Sequence, residues 1–196
     1  KKSGNALIAL PEGYFMNTTF QTLGIPQEIL NVLERIEFKT PTPIQEQAIP
    51  VALNGTDILG SAQTGTGKTA GFTLPILQLL ADKSTKARSE ERIQIRALVL
   101  VPTRELALQV EKSISTYGKY LKLTSMSIIG GVNINPQIKQ LRNRVDILVA
   151  TPGRLLDHIR QKTIDLSGLK ILVLDEADRM LDMGFIHDIK KILNLL

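Results

Sequence analysis

A chain of 196 residues, 43% hydrophobic and 22% charged, is sized and composed for one packed domain, which argues against wholesale disorder; no apolar run approaches the roughly 20 residues that cross a bilayer. The formal net charge of +5 favours polyanionic partners such as nucleic acid, with simple solubility as the competing explanation. Cysteine is absent, which removes disulfides and thiolate metal sites, and two histidines do not make a zinc site, so a reducing, cytoplasmic setting is expected.

In chain order, residues 1–19 read as an N-terminal tail. Lys1, Lys2 and the short apolar run behind them do not make a secretory signal, and residues 1–15 are expected to be a vector remnant, with Met16 as a possible start. Segments 26–35 and 43–53 have helical spacing, each with a proline at its opening turn. Five short aliphatic runs, 57–60, 97–101, 125–129, 147–150 and 171–174, read as buried strands. Between and after them lie helical patterns at 68–81, 104–117, 136–141, 154–159 and 185–195. Strand alternating with helix predicts an α/β fold with a parallel sheet. The polar stretch 82–92 is the expected long surface loop, and no repeat of 20 to 50 residues is visible.

The first strand runs into "SAQTGTGKTA", residues 61–70, and then directly into a helix. A loop that ends a strand and opens a helix aims several unpaired backbone N–H groups at one point, where the helix dipole adds positive charge. Gly65 and Gly67 allow close backbone approach, Lys68 can reach terminal phosphates, and the Thr69 hydroxyl can ligate Mg²⁺. The pattern is G-x-x-x-x-G-K-[ST] with Ala62 in place of the first glycine. The competing explanation is an ordinary strand-to-helix turn. A second acidic group to steady the metal comes with "ILVLDEAD", where Asp175 ends a strand and Glu176 follows. Asp175 would hold the cation while Glu176 orients the attacking water; the alternative is helix capping by Asp175, with Asp178 in the first turn.

Several short motifs together resemble the DEAD-box RNA helicases: "FKTPTPIQ", "AQTGTGKT", "PTREL", the pair Gly130 and Gly131, "TPGR" and "DEAD" occur in that family's order. "TPTPIQEQAIP" and "SAQTGTGKTAGFTLP" are similar to the bacterial branch close to RhlE. The resemblance runs from about residue 20 to the end and implies a RecA-like P-loop domain, with a parallel β-sheet flanked by helices on both faces. It further implies a Q motif at 37–45, and a second RecA-like domain that would follow. ATP and Mg²⁺ are the implied cofactors. The chain on its own is expected to be a monomer, and neither a membrane nor a GTP-reading N-K-x-D motif enters the expectation.

Carried over residue by residue, the resemblance makes Lys68, Asp175 and Glu176 catalytic and puts the metal on Thr69 and Asp175. Nucleotide contacts fall to Phe20, Phe38, Gln45, Ala62, Gln63, Thr64, Gly65, Thr66, Gly67, Lys68, Thr69 and Asp178. Within that set Gln45 reads the adenine edge and Phe38 packs on the ring. RNA contacts fall to Pro102, Thr103, Arg104 and Glu105, to Gly130 and Gly131, and to Thr151, Pro152, Gly153 and Arg154. Each group also has a structural explanation. Thr42 and Gln45 spell a capping box, and Thr103 and Thr151 are good N-caps. Glu37 stands where the family commonly has glycine. Arg142 and Arg144 read as a solvated face. Two rival functions stay open, another P-loop ATPase and a non-catalytic RNA clamp; the first need not carry "PTREL" or "TPGR", and a Glu176→Gln variant separates the second.

Overall fold

The computed structural model describes residues 18–61, 63, 65–81 and 94–196, together with the backbone of 5–8. Ala62, Thr64, the expected loop at 82–92 and most of the expected tail lie outside the described residues. Two compact units are formed, one by residues 1–83 with 116–122 and the other by 84–115 with 123–196.

In the first unit, β1 (Asn5–Ile8) pairs in parallel with β2 (Asp57–Gly60), with Asn5 opposite Asp57 and Ile8 opposite Gly60. The tail expected at 1–19 therefore contains a strand, which an isolated apolar run of this length does not announce. Helix α1 (Gln27–Arg35) buries Ile29, Val32 and Leu33, the i, i+3, i+4 stripe of an amphipathic helix. Helix α2 (Pro43–Leu53) opens on Thr42 with proline in its first turn. It packs on α3 (Lys68–Ala81), which is buried along most of its length from Ala70 to Leu80. Residues 57–60, expected to be a buried strand, are more open than that, with Leu59 69% exposed.

The second unit holds a four-stranded sheet in the order β4 (Ser125–Ile128), β5 (Ile147–Ala150), β3 (Ala97–Leu100), β6 (Ile171–Leu174), and every neighbouring pair is parallel. The expected five strands thus divide, four in this sheet and 57–60 with β1. Central strands β3 and β5 are fully buried at every position, so both faces of the sheet are covered there. Edge strand β4 alternates instead, with Met126 and Ile128 inward and Ser125 and Ser127 half-buried.

On one face, Leu98, Leu100, Ile128, Leu148 and Ala150 form a core with Leu155 and Leu156 of α6 (Pro152–Arg160), Met180 of α7 (Ala177–Asp182), and Ile189 and Ile192 of α8 (Ile186–Leu193). The sequence pattern did not announce α7, a helix of six residues directly behind "DE". Helix α4 (Arg104–Tyr117) buries Ala107, Val110 and Ile114, and α5 (Asn135–Leu141) buries Gln137, whose amide bonds Ile129 N and O at 3.2 Å each. Ile129, directly ahead of the glycine pair, is thereby held at both of its main-chain groups.

Candidate functional site

The first unit supplies the loop between β2 and α3. Gly65 and Gly67 have φ of 84° and 87°, backbone that L side chains rarely adopt, so glycine is required there by the turn itself. The first bond inside α3 is Gly71 N–H to Gly67 O at 3.2 Å, so the amides of Thr69 and Ala70 point out of the helix N-terminus. Lys68 and Thr69 are half-buried beside them. The Thr66 hydroxyl donates back to Gln63 O at 2.7 Å, a local bond within the described part of the loop.

Gln45 is completely buried and both ends of its amide are engaged. Thr42 N–H donates to Gln45 Oε1 at 3.0 Å, and Gln45 Nε2 donates to Gly67 O at 2.9 Å. Thr42 and Gln45 are placed as a capping box, but only the glutamine half is closed by a hydrogen bond; Thr42 Oγ1 is left buried without a partner. That one side chain pins the start of α2 to the loop between β2 and α3. A Cβ on Gly67 would stand 2.3 Å from Gln45 Nε2, so the same glycine permits the turn and the contact.

Phe38 is tilted on Phe20, with ring centroids 5.1 Å apart, and stacked on Tyr117 at 6.4 Å. Phe20 is 2% exposed and forms a floor beneath Phe38. Tyr117 did not emerge from the sequence; its signal was its rarity, because aromatic residues make up only 4% of the chain. Glu37, in place of the family glycine, adopts φ 59°, so the left-handed turn forms without glycine.

The second unit supplies the acidic doublet and three loops. Asp175 is 9% exposed, and its N–H donates to Leu100 O at 3.0 Å, the bond that closes the β3–β6 ladder. Glu176, not Asp175, is the residue that caps α7, in the left-handed region at φ 52° and ψ 48°, and its side chain pairs with Arg179 at 3.0 Å. The cap position of α7 thus falls one residue after Asp175, and Asp178 falls in its first turn. Among the described residues no three His, Asp or Glu gather around a common point. Oxygen donors are what Mg²⁺ takes, so Asp175 suits that ion in kind in this unit, as the Thr69 hydroxyl does in the first.

The three loops lie at the C-terminal ends of adjacent parallel strands, where ligands of open sheets bind. They are tied to one another. Gly130 N–H donates to Thr151 Oγ1 at 3.3 Å, and Arg154 Nη2 donates to Val132 O at 2.7 Å. Arg104 lies so close to Gly131 (φ 72°) that a Cβ there would meet its guanidinium at 2.6 Å. Thr103 Oγ1 accepts from Leu106 N–H at 3.2 Å, so its capping role is real, whereas the Thr151 side chain makes no capping bond and turns to the glycine pair instead. Pro102 is buried, Glu105 is exposed, and Pro152 and Gly153 form the first turn of α6. Val132, whose carbonyl anchors Arg154, carried no signal in the sequence.

The DEAD/DEAH box helicase family matches residues 42–196, most of the chain. The chain belongs to the DEAD/DEAH box helicase family. Among curated relatives, "Probable ATP-dependent RNA helicase ddx27" of Dictyostelium discoideum is 47% identical over 175 residues, 89% of this chain and 22% of that protein. "ATP-dependent RNA helicase DeaD" of Escherichia coli is 48% identical over 177 residues, 90% of this chain and 27% of that protein. The chain thus spans about a quarter of the length of these helicases. A solved DEAD box protein from the hyperthermophile Methanococcus jannaschii superposes with a TM-score of 0.81 at 43% identity, covering 90% of this chain and 46% of that one. The fold is the RecA-like domain of the DEAD-box helicases. Close similarity to helicases of such different organisms does not single out the RhlE-like branch.

Beyond the named motifs, the second unit carries an ionic cluster. Asp146, 2% exposed, accepts from Arg96, from Arg144 and from Thr124 N–H at 2.8, 2.9 and 3.0 Å. Burial raises the Asp146 pKa, but these donors outweigh it and hold the carboxyl below its ordinary value. Arg144 is therefore a structural partner, while Arg142 is exposed as expected.

Proposed function

We propose that this chain is the ATP-binding N-terminal domain of an ATP-dependent RNA helicase, gripping single-stranded RNA through backbone contacts. The observation that carries the reading is the knot of three loops, Arg104 on Gly131, Thr151 to Gly130 and Arg154 to Val132, at one sheet edge. Hydroxyls, backbone amides and arginine offer phosphate and sugar contacts and nothing that reads a base, the chemistry of sequence-independent strand binding.

On the nucleotide side, the amides at the start of α3 and Lys68 receive phosphates, and Thr69 and Asp175 would each serve as a magnesium ligand. When bound, Mg²⁺ neutralises charge on the terminal phosphates. Glu176 orients the attacking water. Gln45 gives the preference for adenine, with Phe38 packing on the ring, and reading the base requires the Gln45 amide to leave Gly67 O or Thr42 N. Residue Asp178 couples the site to the second RecA-like domain, which supplies the remaining charges for hydrolysis. ATP and RNA together close the two domains, bend one strand and loosen a short duplex; hydrolysis resets them. A cytoplasmic, monomeric protein suits this role. The finer placement in an RhlE-like branch rests on "TPTPIQEQAIP" and "SAQTGTGKTAGFTLP" alone.

Titration with ATP, ADP, GTP and oligouridine tests the reading. Lys68→Ala should weaken every nucleotide by tenfold or more, Gln45→Ala should erase the preference for ATP over GTP, and Arg104→Ala should weaken oligouridine about tenfold with ATP affinity unchanged. Equal binding of GTP and ATP by the unmodified chain would remove the adenine-reading role, and oligouridine indifferent to Arg104→Ala would remove the RNA surface.

A further inference from the structure

A pocket of about 210 Å³ opens at the other end of the strands from these loops. Its floor includes Ile95 and Val145, each two residues ahead of a central strand, and β3 and β5 pair directly, so it lies at the N-terminal edge of the sheet. Leu141 and Ile164 complete the apolar lining, and Arg142 and Lys162 stand on the rim. We propose that this pocket docks an acidic linear segment of a partner protein, which seats one aliphatic side chain among these four residues and sets carboxylates beside Arg142 and Lys162.

Four observations carry the assignment. The volume lies below the roughly 300 Å³ at which pockets for drug-sized ligands begin, and suits a single side-chain anchor. Both rim cations are exposed, and neither makes a hydrogen bond or ion pair among the described residues through its side chain. The lining holds one acid, Asp165, which accepts from Ser167 N–H at 2.9 Å, against the two cations, so the charge around the pocket is net positive and favours an anionic visitor. No aromatic residue lines the pocket, which denies a nucleic-acid base the face it would stack on. Arg142 and Lys162 also follow the C-terminal ends of α5 and α6, where helix dipoles favour cations, and this gives the test its sharpest rival outcome.

The test is a two-dimensional methyl NMR titration of the whole chain, labelled at Ile, Leu and Val. The probes are a short acetylated peptide with one leucine flanked by glutamates, the same peptide with lysines for glutamates, and oligouridine. Saturable shifts at Ile95, Val145 and Ile164 with the acidic peptide alone are expected. The paired change Arg142→Glu and Lys162→Glu should weaken that binding about tenfold and leave ATP-induced shifts as they were. No saturable shift, equal shifts from the lysine peptide, or binding untouched by the charge reversal while the melting temperature falls would overturn the proposal, the last leaving dipole capping as the role of the two cations. Stronger shifts from oligouridine at the same methyls would overturn it in favour of nucleic acid.

Discussion

Glu37 shows how a single residue departs from the rule and keeps the geometry. Helix α1 ends in a doubled turn, with Glu37 N–H donating to Glu34 O at 3.1 Å and Phe38 N–H to Leu33 O at 2.9 Å, and this turn demands a left-handed residue at 37. Glycine meets that demand without steric penalty, whereas glutamate is strained by about 1 kcal/mol. Glu37→Gly should therefore raise stability by about 0.5 to 1 kcal/mol, part of the gain being offset by a more flexible unfolded chain, seen as a higher urea midpoint at unchanged slope. His158 is a second case. It is fully buried; Thr163 Oγ1 donates to His158 O at 3.1 Å and so accepts from Nδ1 at 2.8 Å, leaving Nε2 without a partner. Burial, then the Arg154 charge, lowers its pKa, with Asp157 opposing. The folded state therefore binds the proton less readily than the unfolded chain, and stability should fall as pH drops below about 6.5. His158→Gln should flatten that slope in denaturation curves between pH 5 and 7; an unchanged slope would acquit this residue.

At the scale of elements, Asp146 joins the beginnings of three strands. Its carboxylate takes donors from Arg96 before β3 and Thr124 before β4, and its main-chain carbonyl accepts from Arg96 N–H and Ala97 N–H at 2.9 and 3.1 Å. Arg96 has a side chain only 11% exposed, so removing the carboxylate would take a charged hydrogen-bond acceptor from a mostly buried guanidinium. Asp146→Ala should destabilise the protein by about 3 kcal/mol, measured by chemical denaturation. Because the folded pKa is depressed, the contribution is complete above about pH 3.9 and disappears as pH falls through the folded value. Asp146→Asn should accordingly lose the steepest part of the acid-unfolding limb.

At the scale of the whole molecule, the chain covers 22% and 27% of the two helicase relatives described above, and the function proposed for it calls on charges from a second domain. An arginine placed against the transferring phosphate is worth about a thousandfold or more in such reactions. The chain alone should bind ATP and turn it over at a negligible rate that RNA does not raise, followed by release of inorganic phosphate. Turnover that climbs with added oligouridine would show that this domain carries the complete catalytic apparatus.

Much of this was legible in residue order. Central strands β3 and β5 read as unbroken aliphatic runs because a parallel sheet buries both faces, and the glycines at 65 and 67 announced a turn that only glycine relaxes into. Periodicity likewise located most helices, since burying one face fixes the spacing of apolar residues. Tertiary structure decided most of the rest, above all contacts between distant positions. Gln45 spells a cap by spacing, and only folding brings its second arm to Gly67 O, 22 residues away. Thr151 spells a cap too, yet its hydroxyl faces Gly130. Spacing along a chain records periodicity and local turns; which of several possible partners a polar side chain takes is settled by what the fold sets beside it.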